Sequence, residues 1–517
     1  MAAANIHQIK VTRGTRGGML VPALILWAVV LIAFFVFVWV STDISELYPN
    51  FYILPWVLLT GAIILSPSIY LWYKGRFDLF HPLVFAAWIY LFPAFVIGGI
   101  IVAFGWVEWY FLSFIEDPRY TLPLTLVYIS VGFIGLTLGY FLPVGRWGAD
   151  LVSPRLPVSW NWRPEQLWIG GLILLALGIG INILGFLQGV LGFQRNIDIG
   201  IFDGLLYYLV IFFTMGTIVL WISIFSVEKK TGTFYIVLAI LLLFIPLRTA
   251  FMGSRAGLLI GLLPIVFGYY CSGRKLDLKT GTVFAVLGVI SVIIGIAYGT
   301  SFRNLKGGEG SADAASYTEK VGATVDQLID MDTSILAAET AQSLANRLEN
   351  LTSVAVVVSN YEKLAPYEAS YGLENNIIND LYTSFIPRFI WADKPPTSDA
   401  RSYSDLYFSY GENSFAISPF GDLLRNFGVI GIPLGMLVLG FYLRLIYSLL
   451  IETQSPAIWK KTAYYLLLGV VSYESFYALI FPSIIRTLFV LIIGLMILRF
   501  FSSSTVNTSF PKGIASR

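Results

Sequence analysis

Thr282-Val283-Phe284-Ala285-Val286-Leu287-Gly288-Val289-Ile290-Ser291-Val292-Ile293-Ile294-Gly295-Ile296-Ala297-Tyr298-Gly299 carries no charged residue. About 20 such residues, wound as a helix, cross the hydrocarbon core of a bilayer. The run therefore reads as a membrane span. The chain beyond it differs in kind. From Thr300 to Ser418 it is mixed in character, and a Gly-rich joint, Lys306-Gly307-Gly308-Glu309-Gly310-Ser311, stands near the start of that segment. Apolar runs then resume. The chain divides accordingly into 1–299, 300–418 and 419–517.

Worked outward, the same reading gives candidate spans at 19–40, 51–73, 80–104, 121–143, 166–191, 203–226, 233–251, 254–272, 282–299, 419–450, 461–481 and 484–502. The expected fold class is an all-α polytopic membrane protein of about twelve transmembrane helices, with a large helical segment between the ninth and tenth. The 419–450 run is long enough to be tilted or to begin outside the hydrocarbon core. Within the large segment, Val321, Val325, Leu328, Ile329, Leu336, Leu344, Leu348 and Leu351 fit helical spacing.

Composition agrees. Of 517 residues, 57% are hydrophobic and 12% charged, and the mean hydropathy is +0.76. A soluble domain carries about 25% charged residues. A net charge of +2 is too small to argue for a nucleic-acid partner. The single cysteine, Cys271, rules out an internal disulfide. The two histidines, His7 and His81, offer no zinc set. No Gly-x4-Gly-Lys-Ser/Thr motif is present, so no nucleotide hydrolysis and no cofactor is expected. Asp330-Met331-Asp332 has the Asp-x-Asp shape of metal-dependent glycosyltransferases, but on an amphipathic helix it reads as a solvated face.

Basic residues orient the spans. With an inner N-terminus, Lys10, Arg13, Arg16, Lys74, Arg76, Arg146, Arg155, Arg163, Lys229, Lys230, Arg274, Lys275, Lys279, Lys460 and Lys461 all fall inside. Short outer loops carry Asp43, Glu46, Glu108, Glu116 and Asp117. Both termini are therefore expected in the cytoplasm, with 300–418 outside. The run from Met19 to Val40 is too long for a signal-peptide core and reads as an uncleaved first helix.

A second set of arginines breaks the pattern. Arg195, Arg248, Arg255, Arg303, Arg388, Arg401, Arg425 and Arg486 all fall at the outer side. Arginine near a bilayer is costly and faces an interior or a wet cavity, and its fork matches phosphate oxygens. The sharp reading is an outward cavity for a phosphate-bearing ligand. The plain reading is snorkelling to headgroups, or pairing with local carboxylates. Glu412 and Asp422 bracket the entry to the tenth span and are candidate general bases; pairing with Arg425 or Arg388, or helix capping, is the alternative. Glu474 lies inside the eleventh run, where pairing with a cation is the simpler role.

Three stretches resemble oligosaccharide repeat-unit polymerases of the Wzy type. They are Met252-Gly253-Ser254-Arg255-Ala256-Gly257, Phe385-Ile386-Pro387-Arg388-Phe389-Ile390-Trp391-Ala392-Asp393-Lys394-Pro395, and Ser418-Pro419-Phe420-Gly421-Asp422 through Asn426-Phe427-Gly428-Val429-Ile430-Gly431. Together they cover about a tenth of the chain. Ala392 stands where that family's pattern has proline, and Ala256 where it has glycine.

The resemblance implies a GT-C-like glycosyltransferase in the bacterial inner membrane. Its donor and acceptor would be undecaprenyl-pyrophosphate-linked oligosaccharides. Membrane lipids, a chain-length regulator and a flippase are the implied partners. It implies pyrophosphate binding by Arg255 and Arg388, helped by Arg248, Arg303 or Lys394, with Arg425 and Arg486 toward the second lipid-linked substrate. Trp391, Tyr403 and Tyr407 are candidate sugar-facing rings, with ordinary core packing as the alternative. An O-antigen ligase and a lipid-linked oligosaccharide flippase are the competing readings; ligases of this topology use an outer histidine, which this chain lacks.

Overall fold

The computed structural model describes residues 49–106, 109–157, 160–188, 190–191, 203–228, 230–252, 257–274, 278–306, 319, 321–327, 342–386, 390–391, 394, 398–411, 415, 417–452 and 456–504. Among them every regular element is a helix. The main ones are α1 (Leu54–Tyr73), α2 (Pro82–Ala103), α3 (Pro118–Phe141), α4 (Val144–Val152), α5 (Leu167–Leu187), α6 (Gly204–Ser226), α7 (Gly232–Met252), α8 (Gly257–Cys271) and α9 (Leu278–Lys306). Then follow α10 (Leu351–Leu364), α11 (Asn376–Thr383), α12 (Ala400–Phe408), α13 (Ser418–Leu450), α14 (Ile458–Gly469) and α15 (Tyr477–Ser504).

Eight described helices are long and apolar enough to cross a membrane, and α7 and α8 are shorter apolar helices. This is the pattern of a multi-pass membrane protein. The expected first span, 19–40, lies outside the described residues.

Three helix expectations are corrected. The 461–481 run is not one helix: α14 stops at Gly469, and α15 begins at Tyr477 and runs through the 484–502 stretch without a break. A helix of 12 residues is about 18 Å long, well short of the ~30 Å core. Ser472 and Ser475 between the two halves favour local polar bonds over helix; Ser472 Oγ takes the Glu474 N–H at 3.3 Å. The 419–450 run is helical throughout except at Gly428, whose φ of 68° and ψ of −166° divide α13 in two. Only glycine adopts that conformation readily. The helical pattern from Val321 to Leu351 is also interrupted, because the chain leaves the helix at Glu349–Asn350 before α10 begins.

α2 widens to a π-helix over Ala86–Ile97, around Pro93. Further along it, the Ala94 carbonyl accepts the Asn350 N–H at 3.3 Å. α3 and α13 are pressed backbone to backbone through small residues. A Cβ on Gly135 would stand 2.5 Å from the Pro433 carbonyl oxygen, while Gly139 meets Leu437 and Gly440 meets Leu136 in the same way.

The bundle has two distinct ends. At one, the polar end, residues of the 342–417 region cover the helices. There Tyr110 donates to the Phe408 carbonyl at 2.5 Å and Asn360 to the Phe114 carbonyl at 2.8 Å. At the other end, Lys461 donates to the Cys271 carbonyl at 2.5 Å and Arg444 pairs with Glu452 at 2.9 Å.

Candidate functional site

The first stretch of α13 determines the site. Asp422, Arg425 and Asn426 stand three and four residues apart, so a helix puts them on one face. That face is buried, and such groups need polar partners. They find them, directly or through one further group, in four separate elements. Glu368 comes from the 3-10 turn Ala365–Tyr371, Asn376 and Asp380 from α11, Tyr407 from α12, and a backbone N–H from α15.

Arg425 joins two carboxylates, Glu368 at 2.8 Å and Asp422 at 2.9 Å, and its side chain and that of Asp422 have 0% exposure. It also donates to the Leu373 carbonyl at 3.2 Å and to Asn376 Oδ1 at 3.0 Å. Asp422 Oδ1 accepts further bonds from Asn376 at 3.2 Å and Asn426 at 3.3 Å. Asp422 Oδ2 accepts the Ala478 N–H at 2.9 Å, in the first turn of α15. Tyr407 donates to Glu368 at 3.1 Å, and Ser398 donates to Asp380 through both its N–H (3.1 Å) and its hydroxyl (2.6 Å). Burial lifts the Glu368 carboxyl above the usual range, against the pull of Arg425. Burial also lifts Asp380, against the Ser398 bonds.

This geometry changes several expected roles. Asp422 has both oxygens filled by internal donors and no exposure. Neither lone pair is open to a substrate hydroxyl, so the base role does not fit it. Arg425 is neutralised by two carboxylates, so it is a scaffold group and not a phosphate ligand in this arrangement. Tyr403 is buried among Tyr407, Phe408 and Phe476, Tyr407 is buried against Tyr403, and neither shows a face to solvent. The core reading holds for both rings, and the sugar-facing role does not. Trp391 is half-buried. Lys394 is buried and donates to the Ile386 carbonyl at 3.0 Å. Glu474 sits in the non-helical link, paired with Arg347 at 2.9 Å.

Two expected arginines form no ion pair among the described residues. Arg486 stacks on Tyr208 at 4.9 Å and donates to its hydroxyl. Arg248 stacks on Phe213 at 4.8 Å, and its Nε is buried without a partner. Both rest on rings of one short stretch of α6. Arg255, Arg388 and Glu412 lie outside the described residues, as does the side chain of Arg303.

A separate carboxylate, Glu349, is buried against Gly98 of α2. It accepts from Thr352 through N–H at 2.7 Å and hydroxyl at 2.5 Å. Burial pushes it up to about 7.

A family model described as a domain of unknown function, DUF8712, matches residues 186–452. The chain belongs to that family. No curated protein and no solved structure matches it. The DUF8712 match runs from the end of α5 to just past α13. It contains Arg248, Glu368, Asn376, Asp380, Asp422 and Arg425, while Ala478 and Arg486 come from beyond it.

Sequence reasoning passed over Glu368, Asn376, Asp380 and Asn426. The available signal was the spacing of Asp422, Arg425 and Asn426. Three polar groups on one helical face, next to an apolar run, require buried polar partners from elsewhere in the chain.

Proposed function

We propose that this chain is a glycosyltransferase that polymerises undecaprenyl-pyrophosphate-linked oligosaccharide repeat units at the outer face of the bacterial inner membrane. Both termini are cytoplasmic in this reading, and the polar end faces outward. The observation that carries it is the pair Arg248 and Arg486. These guanidiniums stand on aromatic rings and form no ion pair among the described residues, Arg486 acting on the Asp380 carboxylate only from a distance. A cation kept in such a place calls for an anion, and a pyrophosphate leaving group is one. The three sequence stretches that resemble repeat-unit polymerases add support.

In this mechanism Arg255, Arg388, Arg248 and Arg486 hold the donor pyrophosphate, with Arg303 and Lys394 beside them. An acceptor sugar hydroxyl attacks the anomeric carbon, and its proton passes to Glu412. The bond from that carbon to the pyrophosphate oxygen breaks, and undecaprenyl pyrophosphate leaves with the bonding electrons. Positive groups placed around the departing oxygens stabilise the charge that develops there. Direct displacement inverts the anomeric centre. Trp391 offers a ring for the acceptor sugar. Asp422 and Arg425 hold the frame.

The test uses purified protein with lipid-linked repeat units. A ladder of products supports polymerisation. A single capped acceptor means a ligase instead, and a change of sidedness without new bonds means a flippase. The flippase is the second reading because α13 and the α14–α15 region are interrupted, and broken helices line many transport sites.

A further inference from the structure

α11 is inside out. Its buried face is polar: Asn376, Asp380 and Thr383, followed by Ser384. Its exposed side is mainly apolar: Ile378 at 54% and Tyr382 at 54%, with Leu381 between them and Asn379 at the edge, and Phe385 at 64% follows just past the helix end. Spacings of three and four residues place these in one stripe. A helix on an aqueous surface shows the opposite arrangement. The polar face is explained by the buried network, in which Asn376 and Asp380 take part. The apolar face calls for an apolar surrounding.

The neighbours of α11 identify it. Asn376 accepts from Asn426 at 2.7 Å, so α11 begins beside the outer stretch of α13. There the exposed row Phe427, Ile430, Leu434 and Val438 runs along α13. α11 also packs on α15, which exposes Phe489, Ile492, Met496 and Phe500. Both are helices long and apolar enough to cross a membrane. α11 thus packs beside two helices of membrane-spanning length that carry exposed apolar rows of their own. No charged residue interrupts the α11 stripe, and Tyr382 supplies a ring favoured at a membrane interface.

We propose that α11 lies in the outer leaflet of the bilayer, with Ile378, Leu381, Tyr382 and Phe385 against lipid acyl chains. The segment between α9 and α13 is then not an aqueous cap throughout. Part of it is a membrane-seated helix whose polar side closes the Arg425 network from the lipid side. This inference does not rest on the polymerase reading.

The experiment places single cysteines at Tyr382 and Phe385 in a Cys271→Ala background, with Tyr367 and Ile492 as references. Tyr367 is an exposed residue of the 3-10 turn before α11, and Ile492 faces outward from α15. Spin labels in lipid nanodiscs are read for collision with oxygen and with a water-soluble nickel chelate. The expected result is an oxygen-to-nickel ratio at 382 and 385 close to that at 492 and several-fold above that at 367. A ratio like that at 367 overturns the proposal. So does protection from both reagents, which would mean that a second copy or another protein covers the face. In the unmodified protein, a diazirine-bearing phospholipid should leave adducts on the peptide containing α11; their absence while α15 is labelled also overturns it.

Discussion

Asp422 Oδ2 accepts the Ala478 N–H at 2.9 Å, and so the first turn of α15 is capped by a residue of α13. The carboxylate meets the positive end of a helix dipole while its other oxygen holds Arg425. One side chain thus joins two interrupted regions, since α13 is broken at Gly428 and the chain before α15 is non-helical. Irregular backbone at membrane depth is tolerated where protein covers it. Asp422 supplies part of that cover.

Removing Arg425 should be more damaging than removing its partners one at a time. Arg425→Ala leaves Glu368 and Asp422 buried without their cation. Breaking a buried pair in this way costs about 3–5 kcal/mol. Glu368→Gln keeps an acceptor for Tyr407 and leaves Asp422 to balance Arg425, so the loss should be clearly smaller. Thermal unfolding of the two variants in nanodiscs compares them, and equal midpoints would refute the charge argument.

Gly428→Ala should destabilise through backbone conformation alone. A Cβ at Gly428 meets nothing within 4 Å, so no clash contributes. The φ of 68° with ψ of −166° is a region nearly closed to other residues, at a cost of about 1–3 kcal/mol. Asn, which tolerates left-handed helical angles, should give no relief, because this ψ lies elsewhere. Gly139→Ala fails for a different reason: its Cβ would run into the Leu437 carbonyl. Unfolding midpoints of Gly428→Ala and Gly428→Asn that match the native protein would overturn the conformational account.

The long helices were legible because an apolar run announces itself whatever its neighbours do. α1, α2, α3, α5, α6, α7 and α8 begin and end within a few residues of the expected limits, while α9 runs on to Lys306, past the expected end at 299. The breaks were not legible. Gly428 is one glycine among several in the apolar run of α13, and its residue type alone does not mark its angles. The α14–α15 gap hides because Val470, Val471 and Phe476 keep the hydropathy high around Ser472 and Glu474. The Asp422, Arg425 and Asn426 face could be read, but Glu368, Asn376 and Asp380 lie about 40–60 residues earlier. Only the fold brings them together. The same holds for α11, whose stripe is visible as spacing while its outward direction is not.

Glu349 should make stability fall as pH rises through the weakly acidic range. Its ordinary value is 4.5, and burial in the folded chain pushes it up to about 7. Below the lower value the carboxyl is protonated in both states. Between the two the folded chain holds the proton and the unfolded chain has lost it, so each step upward favours unfolding. The contribution is complete below about pH 4.5 and lost by about pH 7. Burial lifts Glu368 and Asp380 in the same direction, which adds to the slope. Glu349→Gln should flatten the profile of unfolding midpoint against pH between 5 and 8; an unchanged slope would remove Glu349 from this role.

Arg248→Lys and Arg486→Lys separate anion binding from simple packing. Each guanidinium stacks on a ring, at 4.8 Å from Phe213 and 4.9 Å from Tyr208, and lysine keeps the charge but loses the flat fork. If the two arginines grip pyrophosphate oxygens, losing a charge-assisted bond worth about 1.5–3 kcal/mol should weaken use of the lipid-linked donor by roughly tenfold or more. The effect should appear as a raised KM for the donor, or as lost polymer in the alanine variants, while thermal unfolding and membrane insertion stay near native. A purely structural role predicts the reverse pattern: a lower unfolding midpoint with an unaltered KM for the protein that still folds. Arg425→Lys, at a position already neutralised by Glu368 and Asp422, should follow that reverse pattern and serves as the internal comparison.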